Sequence, residues 1–187
     1  MGERLPMRRG DILLIASALA MSITAFAADQ VAWGPAVNGL RLGTSLGPSS
    51  PEPEFHVLLQ NTGSRTLEVL TGAEAGKGTT TNFKFIAVAP DGKERECFNV
   101  DNLTSSMSGL VLPVATRLEP GAIHERRFPL NKIVCVENRS DITFDRLLKR
   151  GYSLRISLEG DAKAAQWARL SQAWIGKVVS VDLAPPE

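Results

Sequence analysis

A serine in the first third of the chain lies in a motif that hydrolases use to present a nucleophile. The five residues from Gly43 to Gly47 read GTSLG and match the pattern G-x-S-x-G around Ser45. That motif needs a strand, a sharp turn and then a helix behind the serine. Two prolines within residues 48–51 are incompatible with a helix that starts at once, and nothing in the sequence orients His124 as a base. The pattern therefore predicts an ordinary end of a strand.

A glycine-rich segment and two histidines are the other candidates for cofactor chemistry. Residues 72–79 read GAEAGKGT, but three residues separate the first two glycines where a phosphate-binding loop has four. Gly78 also takes the place of the hydroxyl side chain that would reach Mg²⁺. His56 and His124 are the only histidines, and no H-x-x-x-H or C-x-x-C spacing occurs. We therefore expect no nucleotide, no metal and no other cofactor.

Carboxylates and tryptophans leave one alternative directed at sugars. Pairs of Asp and Glu for glycoside hydrolysis are set by tertiary geometry, so the sequence alone does not identify them. Stacking aromatics are few, because the chain has one Tyr and three Trp. A carbohydrate-binding module that uses Trp167 and Trp174, or an unrecognised hydrolase, is therefore the third of the functions that we consider.

The N-terminal segment, residues 1–27, has the three parts of a secretory signal peptide. Arg4, Arg8 and Arg9 precede an apolar run of about 16 residues, and the segment closes with the small-x-small sequence Ala-Phe-Ala. The run is shorter than the roughly 20 apolar residues that a membrane-spanning helix needs. We expect cleavage after Ala27 and export to the bacterial periplasm or medium; retention as an uncleaved anchor is the alternative.

The rest of the chain, residues 28–187, is expected to form a single domain of balanced charge. Of the 21 Lys and Arg and the 20 Asp and Glu residues, three and two lie before residue 28, so 18 of each sign remain. A neutral domain has no basic field that would attract nucleic acid or an anionic membrane. No second apolar stretch has the length of a membrane span. We therefore expect neither nucleic acid as a partner nor a transmembrane segment after cleavage.

Two short charged clusters interrupt this balance. They are Glu125-Arg126-Arg127 and Lys149-Arg150. Charged side chains on the edge of a sheet discourage pairing with the strands of other chains. We expect both clusters to be solvated sheet edges; contact with a partner is the alternative.

Cys97 and Cys135 are the only cysteines of a chain that is expected to reach an oxidising compartment. Disulfides form and persist in such compartments, so we predict a bridge between the two. It would close a loop of about 38 residues and stabilise the fold by roughly 3–4 kcal/mol. Two separate thiols are the alternative, because spacing alone does not show that their Cα atoms come close.

Alternating apolar residues predict a domain built mainly of β-strands. Phe55, Val57 and Leu59 share one face of a strand, and the clearest amphipathic strand spans residues 152–159. Further strands are expected near residues 67–69, 83–89, 93–98, 122–130 and 175–183. Residues 90–93 read PDGK and join two of these runs as a hairpin. Short strands separated by turns are typical of an all-β sandwich or barrel.

Two segments carry helical patterns instead. Residues 142–149 predict a helical turn, and residues 161–173 predict a short helix before the last strand, capped by Asp161. Trp167 and Trp174 would lie on one side of that helix. There they would either cover one end of the sandwich or form a binding platform.

The order of these features resembles a class of exported bacterial modules. Trp33-Gly34 precedes an apolar strand, residues 54–63 give a strand that ends in an Asn-x-Gly turn, and residues 151–156 read GYSLRI. This order resembles immunoglobulin-like modules, including those beside membrane-bound sensor metallopeptidases, and small secreted proteinase-inhibitor domains. The resemblance covers most of residues 33–183 and implies an antiparallel sandwich of about seven strands. It also implies that Tyr152 is a tyrosine corner, with its hydroxyl tied to a nearby backbone group.

The expected function is binding, most directly to another protein, and not catalysis. The expectation rests on a sandwich fold, a neutral charge and the lack of a catalytic constellation in the sequence; the step from fold to function is analogy. Residues 46–54 and 71–82 are expected to be loops, where binding sites concentrate. The alternative is a small secreted proteinase inhibitor that presents residues 71–82 or 101–109 to a peptidase.

Overall fold

The computed structural model describes a mainly β protein. The described residues are 31–47, 53–75, 78–102, 111–137 and 139–184. The expected signal peptide, residues 1–27, lies outside them, and so do residues 103–109 of one expected inhibitor loop.

Thirteen strands follow one another along the described part of the chain. They are β1 (Ala32–Trp33), β2 (Leu40–Leu46), β3 (Glu54–Asn61), β4 (Leu67–Ala75), β5 (Gly78–Thr81), β6 (Lys84–Val88), β7 (Glu94–Asn99), β8 (Val111–Leu118), β9 (Ile123–Pro129), β10 (Ile133–Glu137), β11 (Ser140–Thr143), β12 (Ser153–Gly160) and β13 (Gly176–Val179). The helical elements are α1 (Phe144–Leu148), α2 (Ala162–Trp167) and two short 3-10 helices, Val100–Asn102 and Leu130–Lys132. Neither described α-helix has the length and apolar character to cross a membrane.

The strands form three antiparallel sheets. Their orders are β1-β2-β3-β9, β11-β10-β7-β6-β12-β13 and β5-β4-β8. The expectation of a mainly β, antiparallel fold is confirmed, but the count of about seven strands is not. Strands of two to four residues, such as β1, β5 and β11, are too short to show a period of two. The sequence therefore gives little sign of them.

One hydrophobic core joins the four-stranded and the six-stranded sheet. Alternate residues of β3 and β12 are fully buried, among them Phe55 and Ile156. Phe128 on β9 meets Phe83 and Phe85 edge-on, with ring centroids 5.9 and 5.1 Å apart. These contacts place the inner faces of the two sheets against each other. Burying each such side chain contributes about 1.5–3 kcal/mol.

Asn61 lies at a corner, where the paired strands β3 and β9 of the four-stranded sheet continue as β4 and β8 of the three-stranded sheet. β3 pairs with β9, and beyond the corner β4 pairs with β8 in the three-stranded sheet. Asn61 is fully buried, and its Nδ2 donates to the carbonyls of Arg65 (2.7 Å) and Leu118 (2.9 Å). Its Oδ1 accepts from the Gly63 N–H at 2.9 Å. The Asn61 side chain thus satisfies three backbone polar groups at this corner. The expected Asn-x-Gly turn predicts only the bond to Gly63.

The hairpin between β6 and β7 is confirmed. Val88 pairs with Glu94, and the Gly92 N–H donates to the Ala89 carbonyl at 2.8 Å. Gly92 has a φ of 81°, which glycine adopts at little cost. The PDGK sequence therefore places this turn where it was expected.

The two cysteines lie opposite each other on neighbouring strands of the six-stranded sheet. Cys97 on β7 and Cys135 on β10 are partners in the register, with Cα atoms 4.2 Å apart and sulfur atoms 1.95 Å apart. Both side chains are buried in the core. The described residues contain no free cysteine, and the predicted pairing is confirmed in its geometry.

Within the expected loop of residues 71–82, the described residues 71–75 and 78–81 belong to the paired strands β4 and β5. Gly72 pairs with Thr81 and Glu74 with Thr79 between β4 and β5, while β8 pairs with the other side of β4. The loop prediction was wrong because it relied on clusters of glycine and threonine, which are typical of turns. Pairing with the distant strand β8, not local propensity, makes residues 71–75 β.

The expected helix before the last strand is confirmed but is shorter than predicted. Asp161 caps α2, since its Oδ1 accepts from the N–H groups of Lys163 (2.8 Å) and Ala164 (2.9 Å). The helix ends at Trp167, and Arg169 adopts a φ of 55°, outside the helical region. The chain is thereby turned back towards β4. The other expected helical turn is also present, as α1.

Candidate functional site

The edge of β9 that faces away from β3 is one of the long unpaired strand edges among the described residues. β9 is the last strand of the four-stranded sheet, and no described strand pairs with its other side. The Leu130 N–H donates to the Pro53 carbonyl at 3.0 Å, and the Asn61 N–H donates to the Ala122 carbonyl at 3.1 Å. Even-numbered residues of β9 therefore direct their backbone groups to β3. We call the opposite side, formed by residues 123–129, the β9 edge.

The backbone groups of the β9 edge come from the odd-numbered residues. In an antiparallel pair, successive residues direct their N–H and C=O groups to opposite sides of the strand. The N–H groups of Ile123, Glu125 and Arg127 consequently point out of the sheet, whereas Pro129 has none. Edges of this kind are templates for another strand. The β9 edge therefore offers three donors in a row to an incoming chain.

The outer face of β9 carries charges that neutralise one another. The Arg127 Nε donates to the Glu125 Oε1 at 2.7 Å, and this bond is the main reason why the pKa of Glu125 is lowered. The His56 Nδ1 lies 3.4 Å from the same oxygen, and its Nε2 lies 3.8 Å from the Glu54 Oε2. Arg127 and His56 therefore each have an acidic neighbour.

The inner face of β9 carries positive charge without such a neighbour. Arg126 is half-buried, and its guanidinium carbon lies 5.8 Å from the centroid of the Phe128 ring. Burial lowers its pKa, and none of the ion pairs among the described residues includes it. Burial also lowers the pKa of His124, and the charge of Arg126 lowers it further. Arg126 is thus a partly desolvated cation with no carboxylate beside it in the described part of the chain.

A tryptophan and an arginine lie on the outer face of the same sheet. The Arg41 guanidinium lies 4.3 Å from the centroid of the Trp33 ring, and its Nε donates to the Gln60 Oε1 at 2.6 Å. The ring rests on Gly43, where a Cβ atom would come within 2.5 Å of it. Tryptophan and arginine are enriched among the residues that dominate protein interfaces. This pair is fixed on β1 and β2, at the end of the four-stranded sheet opposite β9.

The candidate catalytic residues do not converge. Ser45 is nearly buried within β2 and lies opposite His56. His124 lies on the inner side of β9 with Phe128, whereas Ser45 and His56 share the outer side of the sheet. Ser45 and His124 are therefore on opposite faces. Among the described residues, no group of three His, Cys, Asp or Glu side chains is placed to hold a metal ion.

The two expected surface tryptophans differ from each other. Trp167 is 51 % exposed at the end of α2, but Trp174 is only 3 % exposed. The Trp174 indole N–H donates to the Val37 carbonyl at 2.9 Å, and its ring belongs to the core. The prediction of Trp174 as a surface aromatic is wrong because α2 ends at Trp167. The chain then reverses and inserts the second ring, so Trp174 covers the core instead.

Tyr152 lies at the edge of the core near a charged side chain. The Arg95 guanidinium carbon is 6.0 Å from the centroid of the Tyr152 ring. The backbone N–H of Tyr152 donates to the Leu147 carbonyl at 3.2 Å, just after α1. Its role as a tyrosine corner stays a prediction.

A cleft of about 420 Å³ lies where the segment after α2 meets β4. Its lining residues are Arg65, Thr66, Leu67, Ser171, Gln172 and Ala173. Glu68 closes the junction: its Oε2 accepts from the N–H groups of Ser171 and Gln172, both at 2.8 Å. Because the carboxylate is the acceptor, these bonds lower the pKa of Glu68. The junction serves to attach the insertion to β4.

Glu68→Gln is expected to lower the free energy of unfolding by roughly 1 kcal/mol at neutral pH, because the charged acceptor is lost. The folded pKa of Glu68 lies below its ordinary value of 4.5, so the stabilisation is complete above that value. It disappears as the pH falls through the folded pKa. Urea unfolding should therefore show a smaller difference in unfolding free energy between the variant and the native protein at pH 3 than at pH 7. Glu74→Gln, on the exposed part of the same strand, is the control and should change little at either pH.

The sequence marks β9 as charged but does not single out Arg126. The cluster Glu125-Arg126-Arg127 was expected to be a solvated edge, and Glu125 and Arg127 fit that expectation. Only the strand's period of two separates Arg126 from its neighbours and turns it inward. Phe128, buried on the same face, is the signal that would have identified this side.

Comparison with protein-family models, with curated proteins and with solved structures finds no match for this chain.

Proposed function

We propose that this chain is an exported module that binds another protein through the β9 edge. In this proposal the four-stranded and six-stranded sheets are the two layers of an immunoglobulin-like sandwich. Residues 1–27 direct the chain to the periplasm or the medium. The observation that carries the proposal is the seven-residue strand β9, whose outward backbone groups have no partner among the described residues.

An unpaired edge of this length supports binding for a physical reason. Main-chain hydrogen bonds supply affinity when an extended peptide adds a strand to a sheet, and alternate side chains supply selectivity. The Trp33–Arg41 pair lies on the outer face of the same sheet. It adds residue types that commonly anchor protein interfaces. The pair lies on β1 and β2, at the opposite end of that sheet from β9, so it would be a separate anchor and not part of the β9 edge.

The other functions have weaker support in the described residues. A proteinase inhibitor needs a protruding loop, and residues 71–75 and 78–81 are instead paired within a sheet. Most of the other expected loop, residues 101–109, lies outside the described residues. A hydrolase needs converging groups, whereas Ser45 and His124 lie on opposite faces. A sugar platform of two tryptophans loses Trp174 to the core.

Glu125→Pro is expected to weaken capture of the physiological partner at least tenfold. Proline removes the central outward N–H of the β9 edge and leaves the bonds to β3 in place. Glu125→Ala is the matched control, since it removes the same carboxylate but keeps the N–H, and it should capture the partner as the native protein does. Each variant serves as bait in an envelope extract, with bound proteins quantified by mass spectrometry and folding checked by circular dichroism.

Equal capture by the native protein and a folded Glu125→Pro variant would overturn the β9 edge as the site. Equal loss in both variants would assign the effect to the Glu125 side chain and not to the backbone. A partner lost in Glu125→Pro alone supports the proposal.

A further inference from the structure

The two faces of β9 differ in how their charges are balanced. On the outer face, Glu125 bonds to Arg127 at 2.7 Å and lies 3.4 Å from a nitrogen of His56. On the inner face, Arg126 and His124 have no acidic neighbour among the ion pairs of the described residues. Half-burying a guanidinium without a counter-charge is unfavourable. The inner face is therefore the side on which an added negative charge would stabilise the molecule.

A strand added to β9 would bring its own side chains beside these two residues. Side chains of directly opposite residues lie with Cβ atoms about 4.5–5.5 Å apart, and alternate residues share a face. His124 and Arg126 are two positions apart on one face of β9. The opposite residues of an incoming strand would likewise be two positions apart. Carboxylates at those positions would be within reach of the Arg126 guanidinium, which binds carboxylates in a planar, two-pronged geometry.

We propose that the β9 edge binds an extended peptide that carries acidic side chains at alternate positions, facing His124 and Arg126. This inference rests on the proposed function and specifies the chemistry of its partner. The outward N–H groups of Ile123, Glu125 and Arg127 hold the peptide backbone. The alternate residues of the peptide, which face Glu125 and Arg127, are uncharged or apolar, because that side is already neutral.

The same arrangement selects against other occupants. An apolar strand would desolvate Arg126 further without compensating its charge, and a basic strand would add repulsion. A second copy of this chain that paired β9 with β9 would bring Arg126 and His124 of both copies to one face. The charge on β9 therefore disfavours self-association and favours an acidic peptide.

The test uses two synthetic peptides and the purified protein. One peptide alternates valine and glutamate, and the other alternates valine and glutamine; both have blocked ends. Isothermal titration calorimetry at low salt is expected to give a dissociation constant at least tenfold lower for the glutamate peptide. Arg126→Gln should remove this difference, and Arg126→Lys should restore part of it. Glu125→Pro should weaken both peptides, because it acts on the backbone.

The outcomes separate this inference from the proposed function. If both peptides bind equally and Glu125→Pro weakens both, the acidic preference is overturned and the β9 edge stands. If neither peptide binds while partner capture still depends on the Glu125 N–H, the inference alone fails. If the glutamate peptide binds and Glu125→Pro has no effect, the carboxylates bind away from the β9 edge, and the inference is overturned. Dimers in sedimentation that Glu125→Pro dissolves would assign the edge to a second copy and overturn it as well.

Discussion

Replacing Cys97 and Cys135 together by alanine lowers the free energy of unfolding by roughly 3–4 kcal/mol. The bridge joins residues 38 positions apart and restricts the unfolded chain, which would otherwise lose more entropy on folding. For a domain of this size the melting temperature should fall by about 10 °C. Urea and thermal unfolding at neutral pH, followed by circular dichroism, measure both quantities.

The native protein under reducing conditions is the control for this prediction. Both cysteines are buried, so the alanine variant loses some packing as well as the bridge. The reduced native protein loses the bridge alone and should account for most of the effect. A reduced protein as stable as the oxidised one would contradict the prediction and leave the cysteines a packing role only.

Asn61→Asp is expected to lower the free energy of unfolding by roughly 3–5 kcal/mol. The carboxylate keeps the acceptor for the Gly63 N–H but removes the donor to the carbonyls of Arg65 and Leu118. Two carbonyl oxygens would then face a negative charge in a fully buried corner. Burial should raise the pKa of an aspartate at this position, so its neutral form is more populated in acid. The loss of unfolding free energy should therefore be smaller at the lower pH. Urea unfolding at pH 7 and pH 4 measures both effects.

Asn38→Asp supplies the matched control for this second prediction. Asn38 also donates through its Nδ2 to a carbonyl, that of Ile175, at 2.8 Å, but the bond is exposed. The same chemical change there should cost only about 0.5–1 kcal/mol. Equal effects at the two positions would show that burial of the corner is not what makes Asn61 important.

Local chemistry in the sequence predicts local structure well in this protein. The PDGK turn, the Asp161 cap and the burial of alternate residues of β3 all depend on neighbours within a few positions, and all are confirmed. The cysteine pairing was predicted from the compartment and not from geometry, and the structure supplies the geometry.

The features that could not be predicted from the sequence depend on distant parts of the chain. Residues 71–75 are β because β8 pairs with them across an interval of more than thirty residues, and residues 78–81 pair with β4 in turn. Trp174 is buried because its segment returns to β4 at Glu68. The candidate site also depends on distant parts of the chain. The sequence shows that residues 125–127 are charged, but only the order of the strands makes β9 an edge and leaves Arg126 without an acidic neighbour in the described residues.

The route of the chain between the sheets has a consequence for how fast the protein folds. β3 pairs with β9 and β4 pairs with β8, so the ribbon that passes the Asn61 corner joins segments far apart in the sequence. The entropy cost of closing long loops arises before the stabilising contacts between the strands form. All-β topologies of this kind therefore fold on the order of milliseconds to seconds. Apolar strands are uncovered during that interval. The charges along β9 would then act before any partner is present, keeping half-formed sheets of neighbouring chains apart while each chain completes its own.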